Sequence, residues 1–351
     1  MRKAPSNNLL GALGRLVPYL DDERIIEVSV NGPGRPVFVE RFGEARVETD
    51  LSLTQEQTNL LYTAIAAQAR ESVNLDGRSN DEQAVILSAL IPALNERSRG
   101  HRAEAVAIDC ALSGPVFSFR RLPTQRFTLS DYVAQGSVPR EVANYLERAI
   151  LDHKTVLLCG GTSSGKTTFL NALIAACPRS ERILAIEKVQ ELFIDHPDSF
   201  VLQPKGRVGM TELTTSLLRH APSWVVLGEM RGSEGWDFVD RIGNSGHSTM
   251  ATLHANSAQE ALSRLENMVQ EGRPTMPLPA IQQRIAGVVD IVVSFDKTYY
   301  QADQGSALIV KRGIKEVIEV AGIKERFDSY CTYDLRSFWS DSKPSLPVPN
   351  P

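Results

Sequence analysis

The sequence lacks any apolar stretch long enough to span a lipid bilayer. A spanning helix needs about 20 apolar residues, whereas the longest candidate, residues 84–94, is interrupted by Ser88 and Pro92 and is more typical of a protein core. The first residues, MRKAPSNNLL, also lack the apolar run and the small-residue cleavage site of a secretory signal. We therefore expect neither a membrane span nor a signal peptide.

The chain has few cysteines and no large excess of charge of either sign. The cysteines are scattered without CxxC spacing, at Cys110, Cys159, Cys177 and Cys331. This pattern is typical of reduced thiols in a cytosolic protein and argues against zinc. The 38 Lys and Arg residues face 42 Asp and Glu residues, for a formal net charge of −4. Binding along duplex DNA requires basic charge that neutralises phosphates, so we expect no stable nucleic-acid binding.

Length and patterning indicate a globular chain of two or three domains, since 351 residues exceed the usual ~100–200 residues of one domain. Residues 1–121 mix strand and helix patterns, and we predict an N-terminal α+β domain there. Thr54 and Gln57 have the spacing of a capping box for a helix over residues 54–69. Strands are predicted over Ile25–Val30 and residues 37–40, 105–108 and 116–119.

The remainder of the chain alternates strands with helices. Residues 122–138 are polar and are predicted to be a linker. Beyond them, strands are predicted over residues 155–159, 182–187, 224–229 and 249–254, and helices over residues 139–151, 165–176, 211–220 and 257–271. The alternation predicts an α/β domain over residues 139–335, with a mainly parallel sheet covered on both faces. The proline-rich end, residues 336–351, is predicted to be a disordered tail.

One glycine-rich segment, GGTSSGKT at residues 160–167, fits the phosphate-loop pattern G-x-x-x-x-G-K-[ST] in full. An apolar strand precedes it and a helical pattern follows it, so its backbone N–H groups and the helix N-terminus can converge on phosphate. Lys166 is expected to reach the β- and γ-phosphates, and the Thr167 hydroxyl to bind Mg²⁺. The predicted nucleotide-binding residues here are Gly160, Gly161, Thr162, Ser163, Ser164, Gly165, Lys166, Thr167 and Thr168.

Three later strands end in residues suited to hydrolysis of a bound nucleotide, namely Glu187, Glu229 and His254. In an open α/β sheet, ligands bind beyond the carboxyl ends of the strands. We assign Glu229 to the metal side and Glu187 to activation of water, and note that either could be an ordinary strand-end carboxylate. Glu191 is interpreted as a surface acid rather than a supporting residue.

Two histidines could be taken for a metal pair, but their spacing argues against it. An extended chain separates His247 and His254 by roughly 23 Å and points them to opposite faces. Either could instead sense the γ-phosphate. For His247, an ordinary loop role is an equal alternative, while His254 is counted among the catalytic residues.

These residues resemble a known family, the secretion "traffic" ATPases, and most closely the TrbB-like conjugal-transfer ATPases of type IV secretion systems. Residues 160–168, 186–192, 226–232 and 245–256 are similar to the Walker A, aspartate-box, Walker B and histidine-box motifs of that family. The resemblance covers about residues 10–295. The segments VERFGE, FTLSDYV and RLE at residues 39–44, 127–133 and 264–266 favour the conjugative branch over the pilus ATPases.

The resemblance implies a RecA-like ATPase domain, bound ATP and Mg²⁺, and a homohexameric ring on the cytoplasmic face of the inner membrane, attached peripherally. Secretion-channel proteins or a coupling ATPase are the implied partners. Arg102 and Arg120 match the family's N-terminal arginines that grip ATP, although Arg102 also lies in a generally basic loop.

Two features depart from the family pattern. Lys188 follows Glu187 where the family has an acid, and extra basic residues at 97–102 indicate a small insertion in that loop. Separately, Gly228 stands where an Asp commonly precedes the Walker B glutamate, so the pairing at Glu229 is not the common one. Lys188 motivates an alternative of another class, a nucleotide-binding scaffold with negligible turnover. A pilus-assembly or type II secretion ATPase is a further alternative, and a DNA translocase would require an aromatic-lined basic channel that the sequence does not reveal.

Overall fold

The computed structural model describes residues 5–69, 71, 86–106, 110–122, 124, 127–188, 191–300, 309–325 and 331–341. The chain divides into two units, which are described separately. The first comprises Met1–Gln125 with Tyr299–Val310, and the second Arg126–Thr298 with Lys311–Pro351. Within the described residues, no helix combines the length and apolar character that crossing a bilayer requires.

The first unit is an antiparallel sheet with helices packed on one face, as expected for an α+β domain. Its helices are α1 (Asn7–Leu13), α2 (Val17–Asp21) and α3 (Gln55–Ala69). Its strands are β1 (Ile25–Val30), β2 (Pro36–Arg41), β3 (Val47–Ser52), β4 (Ile86–Ile91), β5 (His101–Val106) and β6 (Val116–Arg121). Their order is β3-β2-β1-β6-β5-β4.

Side-chain alternation along these strands builds the core of the first unit. Alternate residues of a strand point to opposite faces, and the buried set includes Val28, Val39, Ala103 and Phe119. The capping box expected at α3 is present. The Thr54 amide donates to Gln57 Oε1 at 2.9 Å, and the Gln57 amide donates to Thr54 Oγ1 at 3.2 Å. Of the strand predicted over residues 105–108, positions 107 and 108 lie outside the described residues.

The second unit contains the predicted α/β sheet. Its helices are α4 (Leu129–Ala134), α5 (Arg140–Leu151), α6 (Lys166–Ala176), α7 (Met210–Leu218), α8 (Glu234–Trp236), α9 (Ala258–Gly272) and α10 (Leu278–Val288). Its strands are β7 (Val156–Gly160), β8 (Ile183–Ile186), β9 (Ser199–Leu202), β10 (Trp224–Met230), β11 (Ser248–Leu253), β12 (Ile291–Tyr300), β13 (Ile309–Glu325) and β14 (Cys331–Ser340). The order is β14-β13-β12-β7-β11-β10-β8-β9.

Most neighbouring strands of this sheet run parallel, which confirms the predicted fold class. From β12 through β7, β11, β10 and β8 to β9 each pair is parallel, and β13 pairs with β14 in the antiparallel sense. Both faces are covered: Val156 and Leu158 join one apolar cluster, while Leu157 and Cys159 join the other. A central strand buried on both faces explains why β7 is a continuous apolar run.

Two segments differ from the expected organisation. The predicted linker contains α4, which begins with a capping box between Thr128 and Asp131 and packs Tyr132 edge-on against Phe169, with ring centroids 5.0 Å apart. Residues 336–340, which we placed in the disordered tail, belong to β14. Pairing with β13 explains this difference, because the partner strand supplies the backbone hydrogen bonds that composition alone does not reveal. Positions 342–351 lie outside the described residues.

The first unit buries an ionisable side chain, His101, at the start of β5. It is 2% exposed and lies opposite Arg121 of β6. Arg121 donates hydrogen bonds to the carbonyl oxygens of Leu20, Asp22 and Ile25, which ties α2 and β1 to β6. Burial, followed by the charge of Arg121, lowers the pKa of His101 to about 3. His101 is therefore neutral in the folded protein at neutral pH.

This burial predicts acid sensitivity of the first unit. The pKa of His101 in the folded chain lies below its ordinary value of 6.5, so protonation favours unfolding. Stability should fall as the pH drops below about 6.5, by up to about 1.4 kcal/mol per pH unit. His101→Gln should reduce this loss. Hydrogen–deuterium exchange of β5 and β6 peptides, compared with wild type at each pH, measures it.

The control is His220→Gln, which changes an exposed histidine of the second unit. It should leave the pH dependence of β5 and β6 exchange unchanged. Equal acid sensitivity in wild type and the His101 variant would contradict the explanation.

Candidate functional site

The phosphate loop follows β7 and leads into α6. Gly160 has a φ of +154°, and a Cβ at this position would lie 2.6 Å from the Phe295 carbonyl oxygen and 2.7 Å from Ser164 Oγ. Gly165, the residue before α6, has a φ of +103°, a conformation that L side chains rarely adopt. Both glycines are therefore required by the backbone, as the motif predicts.

Lys166 is 7% exposed and turns back over the loop. Its ammonium group donates hydrogen bonds of 2.8 Å to the carbonyl oxygens of Gly160 and Gly161. Its Nζ also lies 3.5 Å from His254 Nδ1. These contacts hold a buried positive charge at the carboxyl end of β7. In the presence of a phosphate, its charged oxygens could replace these neutral carbonyl oxygens as acceptors.

The loop has the properties of a phosphate cradle. Ser164 Oγ is buried and has no hydrogen-bond partner in the part of the chain that the structure describes. The first turn of α6 presents backbone N–H groups that an intrahelical ladder leaves unpaired. A polyphosphate would supply acceptors to the Ser164 hydroxyl and to these N–H groups. Its negative charge would also lie beside the positive charge of Lys166. The residues present therefore fit a bound nucleoside phosphate.

Glu187 lies directly after β8 and is 4% exposed. Its Oε2 accepts hydrogen bonds from the backbone amides of Glu191 and Leu192, each at 2.8 Å. Glu191 in turn accepts a hydrogen bond of 3.1 Å from the Thr167 hydroxyl through its Oε2. Glu191, which we interpreted as a surface acid, thus contacts the hydroxyl predicted to bind Mg²⁺. Carboxylate and hydroxyl oxygens are ligands that Mg²⁺ prefers.

The carboxylate of Glu229, near the end of β10, contacts the side chains of Arg231 and His254. Its Oε2 accepts hydrogen bonds from Arg231 Nε at 3.0 Å and Nη2 at 2.6 Å, and its Oε1 lies 2.5 Å from His254 Nε2. Burial raises the pKa of Glu229, but the hydrogen bonds from His254 and Arg231 outweigh it and lower the pKa to about 2. Glu229 is therefore ionised throughout the physiological pH range.

His254 bridges the two charged groups. Its Nε2 faces Glu229 and its Nδ1 faces Lys166, so a neutral ring can donate to the carboxylate and accept from the ammonium. His247 lies before the first residue of β11, whereas His254 follows the last. The strand therefore carries only His254 to the carboxyl edge of the sheet.

Gly228 is required by close packing between β10 and β8. A Cβ at this position would lie 2.8 Å from the Cβ of Glu187. An acidic side chain at 228 would displace the Glu187 backbone. The glycine at this position thus leaves space for Glu187.

The positive charge of Lys188 is matched by Glu234. Lys188 Nζ donates to Glu234 Oε1 at 2.8 Å, and the same oxygen accepts a 2.8 Å hydrogen bond from the Arg231 amide. Glu234 is 6% exposed, and its pKa is lowered because the hydrogen bonds from Lys188 and the Arg231 amide outweigh the effect of burial. The pair joins the segments that follow β8 and β10.

Arg102 and Arg120 belong to the first unit, where they face each other across β5 and β6. Arg102 also pairs with Glu104 at 3.6 Å. The structure brings the two arginines together on one face of the sheet, and their role as nucleotide-gripping residues stays a prediction.

A cleft of about 470 Å³ opens beside the phosphate loop. Residues from the loop, the end of β10, the segment after β11 and α9 line it, including Gly161, Arg231, His254, Asn256 and Arg264. Sequence reasoning did not assign Arg231, Glu191 or Glu234 to the site. Arg231 lies two residues after Glu229 but outside β10, which ends at Met230, so strand alternation does not predict its contact with Glu229. Glu191 contacts Thr167, and Glu234 contacts Lys188. Each contact joins segments that follow different strands, so it depends on how the strands are arranged in the sheet.

Comparison with known proteins extends these observations. The model of the family described as type II/IV secretion system protein matches residues 105–322. The chain is 29% identical to the conjugal transfer protein TrbB of Rhizobium radiobacter, with 88% of each chain covered. It is 32% identical to the type IV secretion system protein VirB11 of Brucella suis, covering 79% of this chain and 82% of the relative. The structure of the Legionella pneumophila ATPase DotB shares the fold, with a TM-score of 0.60 at 19% identity, covering 91% and 82% of the two chains.

The contact at Gly228 predicts the effect of adding one methyl group. Gly228→Ala should displace Glu187, destabilise the second unit by about 1–3 kcal/mol as overpacked sites do, and lower ATP hydrolysis. Thermal unfolding and phosphate release measure the two effects.

Gly287→Ala in α10 is the matched control. Apart from the adjacent residues and the backbone of α10 itself, no atom of the described residues lies within 4 Å of a Cβ there. It should leave both quantities unchanged or raise stability slightly. A Gly228 variant as stable and active as wild type would show that Glu187 tolerates displacement.

Proposed function

The chain belongs to the type II/IV secretion system protein family and is a secretion ATPase of the type IV secretion and conjugation group, and from this premise we propose how it works. We propose that it is a homohexameric motor that hydrolyses ATP with Mg²⁺ at the cytoplasmic face of the inner membrane. The energy released would drive substrate translocation or pilus assembly through a conjugative apparatus, with secretion-channel proteins or a coupling ATPase as partners.

The observation that carries the hydrolytic part is the hydrogen-bonded series Lys166–His254–Glu229 beside the phosphate loop. It places an ionised carboxylate and a buried ammonium group on either side of one imidazole. Phosphoryl transfer is accelerated chiefly by such positioning and charge stabilisation. A γ-phosphate bound to Lys166 would lie near His254. The contact between His254 and Glu229 would then link the phosphate to this carboxylate.

The contacts favour roles for the carboxylates that differ from those expected from the sequence. Thr167 bonds to Glu191, which bonds to Glu187, so these acids lie on the side of the predicted metal ligand. Glu229 lies with Lys166 and His254. We therefore propose that Thr167, Glu191 and Glu187 hold or surround the metal and that Glu229 orients the attacking water. Magnesium, when bound, would neutralise charge on the phosphate oxygens.

The scaffold alternative rests on the charge of Lys188, and the Lys188–Glu234 ion pair weakens it. Because Glu234 already matches this charge, Lys188 does not present an uncompensated cation to the metal.

We predict magnesium-dependent phosphate release from the purified protein. Lys166→Ala should abolish it by removing the phosphate contact, and Glu229→Gln should lower kcat by about 100-fold or more with nucleotide affinity nearly unchanged. A coupled phosphate assay and fluorescent-nucleotide binding separate these effects. Glu141→Gln, an exposed acid of α5, is the control and should match wild type.

Full activity in the Lys166 variant would refute the site. Normal ATP binding with turnover no higher than in the Glu229 variant would instead support the scaffold. Native mass spectrometry with ATP tests the hexamer separately.

We also predict that Lys188→Asp does not raise turnover. This change would place a second carboxylate beside buried Glu234, so stability and activity should both fall. Thermal unfolding and phosphate release check this, and a faster enzyme would show that Lys188 suppresses hydrolysis.

A further inference from the structure

The phosphate loop is held from outside by a side chain of β13. The Nε–H of Arg312 donates a hydrogen bond of 2.9 Å to the carbonyl oxygen of Ser163. Ser163 is a non-glycine residue with a φ of +59°, in the left-handed region. Such a conformation persists only where the surrounding structure holds it. Arg312 provides one of the contacts that do so.

The hydrogen bond also fixes the direction of the next amide. In a trans peptide the C=O and the following N–H point in opposite directions. With the Ser163 carbonyl turned toward Arg312, the Ser164 N–H points into the loop, where it donates a long hydrogen bond of 3.4 Å to the Gly161 carbonyl oxygen. A bond of this length is weak and easily exchanged for a phosphate oxygen.

The same strand contacts a second loop of the site. Lys315 Nζ donates to the Asn256 carbonyl oxygen at 3.2 Å, and Glu316 Oε1 accepts a 2.7 Å hydrogen bond from the amide of Ala258, the first residue of α9. Because Asn256 lines the cleft beside the phosphate loop, Lys315 itself supports the site and cannot serve as a control. Lys311 precedes Arg312 on β13, carries the same charge and is exposed, and alternate residues of a strand point to opposite faces. Lys311 is therefore the matched control.

We propose that Arg312 is a positioning residue that keeps the phosphate loop in its phosphate-binding shape and so sets the affinity for ATP. It acts through the Ser163 carbonyl, by a hydrogen bond rather than by long-range attraction of phosphate. The proposal deepens the proposed function and rests on it only in taking ATP as the ligand.

Two substitutions separate the hydrogen bond from the charge. In Arg312→Gln, the amide nitrogen occupies the same position along the side chain as Arg312 Nε, so a donor remains while the charge is lost. Arg312→Met keeps the length of the apolar part of the side chain and removes both the hydrogen-bond donor and the charge. Lys311→Met removes the same charge from the same strand.

The affinity of each variant for mant-ATP with Mg²⁺ is measured by fluorescence titration, and KM and kcat by phosphate release. The loss of one hydrogen bond corresponds to about a fivefold change in affinity. We expect R312M to raise Kd and KM about fivefold with kcat within twofold of wild type. R312Q and K311M should stay within twofold for all three quantities.

An R312M protein with wild-type Kd would overturn the proposal, as would an R312Q protein that loses as much affinity as R312M. Circular dichroism establishes that each variant is folded. Should R312M fail to fold, Arg312→Val, with a side chain suited to a strand, replaces it. Absence of hydrolysis in wild type would refute the motor, whereas the mant-ATP titrations would still decide the role of Arg312.

Discussion

The ammonium group of Lys166 lies buried between the carbonyl oxygens of Gly160 and Gly161, and a buried charge is costly wherever its surroundings do not match it. This requirement shapes the loop. The glycines allow the backbone to curve around the ammonium group, and β7 places the loop at the carboxyl edge of a parallel sheet. The other reactive groups are those that neighbouring strands deliver to the same edge.

Two hydrogen-bonded series then flank the phosphate loop. Thr167, Glu191 and Glu187 form one, on the side of α6 and β8. Lys166, His254 and Glu229 form the other, on the side of β10 and β11. An ATPase needs to hold a metal and to orient water without the two tasks competing for one carboxylate. Under the proposed mechanism the separate series would provide this, with Arg231 and the Lys188–Glu234 pair fixing the segments that carry them.

Much of this could be predicted from the sequence because the signals are local. The runs VLLC of β7 and WVVL of β10 are continuous and apolar, as strands buried on both faces require. The strands β12, β13 and β14 were not predicted, and neither was α4, although Thr128 and Asp131 have capping-box spacing. Long strands such as β13 carry exposed charged residues and derive their order from pairing with a partner strand, so their own composition does not identify them.

The sequence by itself determined the phosphate loop, its flanking strand and helix, and the family, because the glycines, the lysine and the strand-end acids lie at fixed short spacings. Only the tertiary structure decided which carboxylate faces which neighbour, why residue 228 is glycine, and that Arg312 contacts Ser163. Those contacts join residues from different strands or from distant parts of the chain. Their geometry depends on sheet order and close packing rather than on any local pattern.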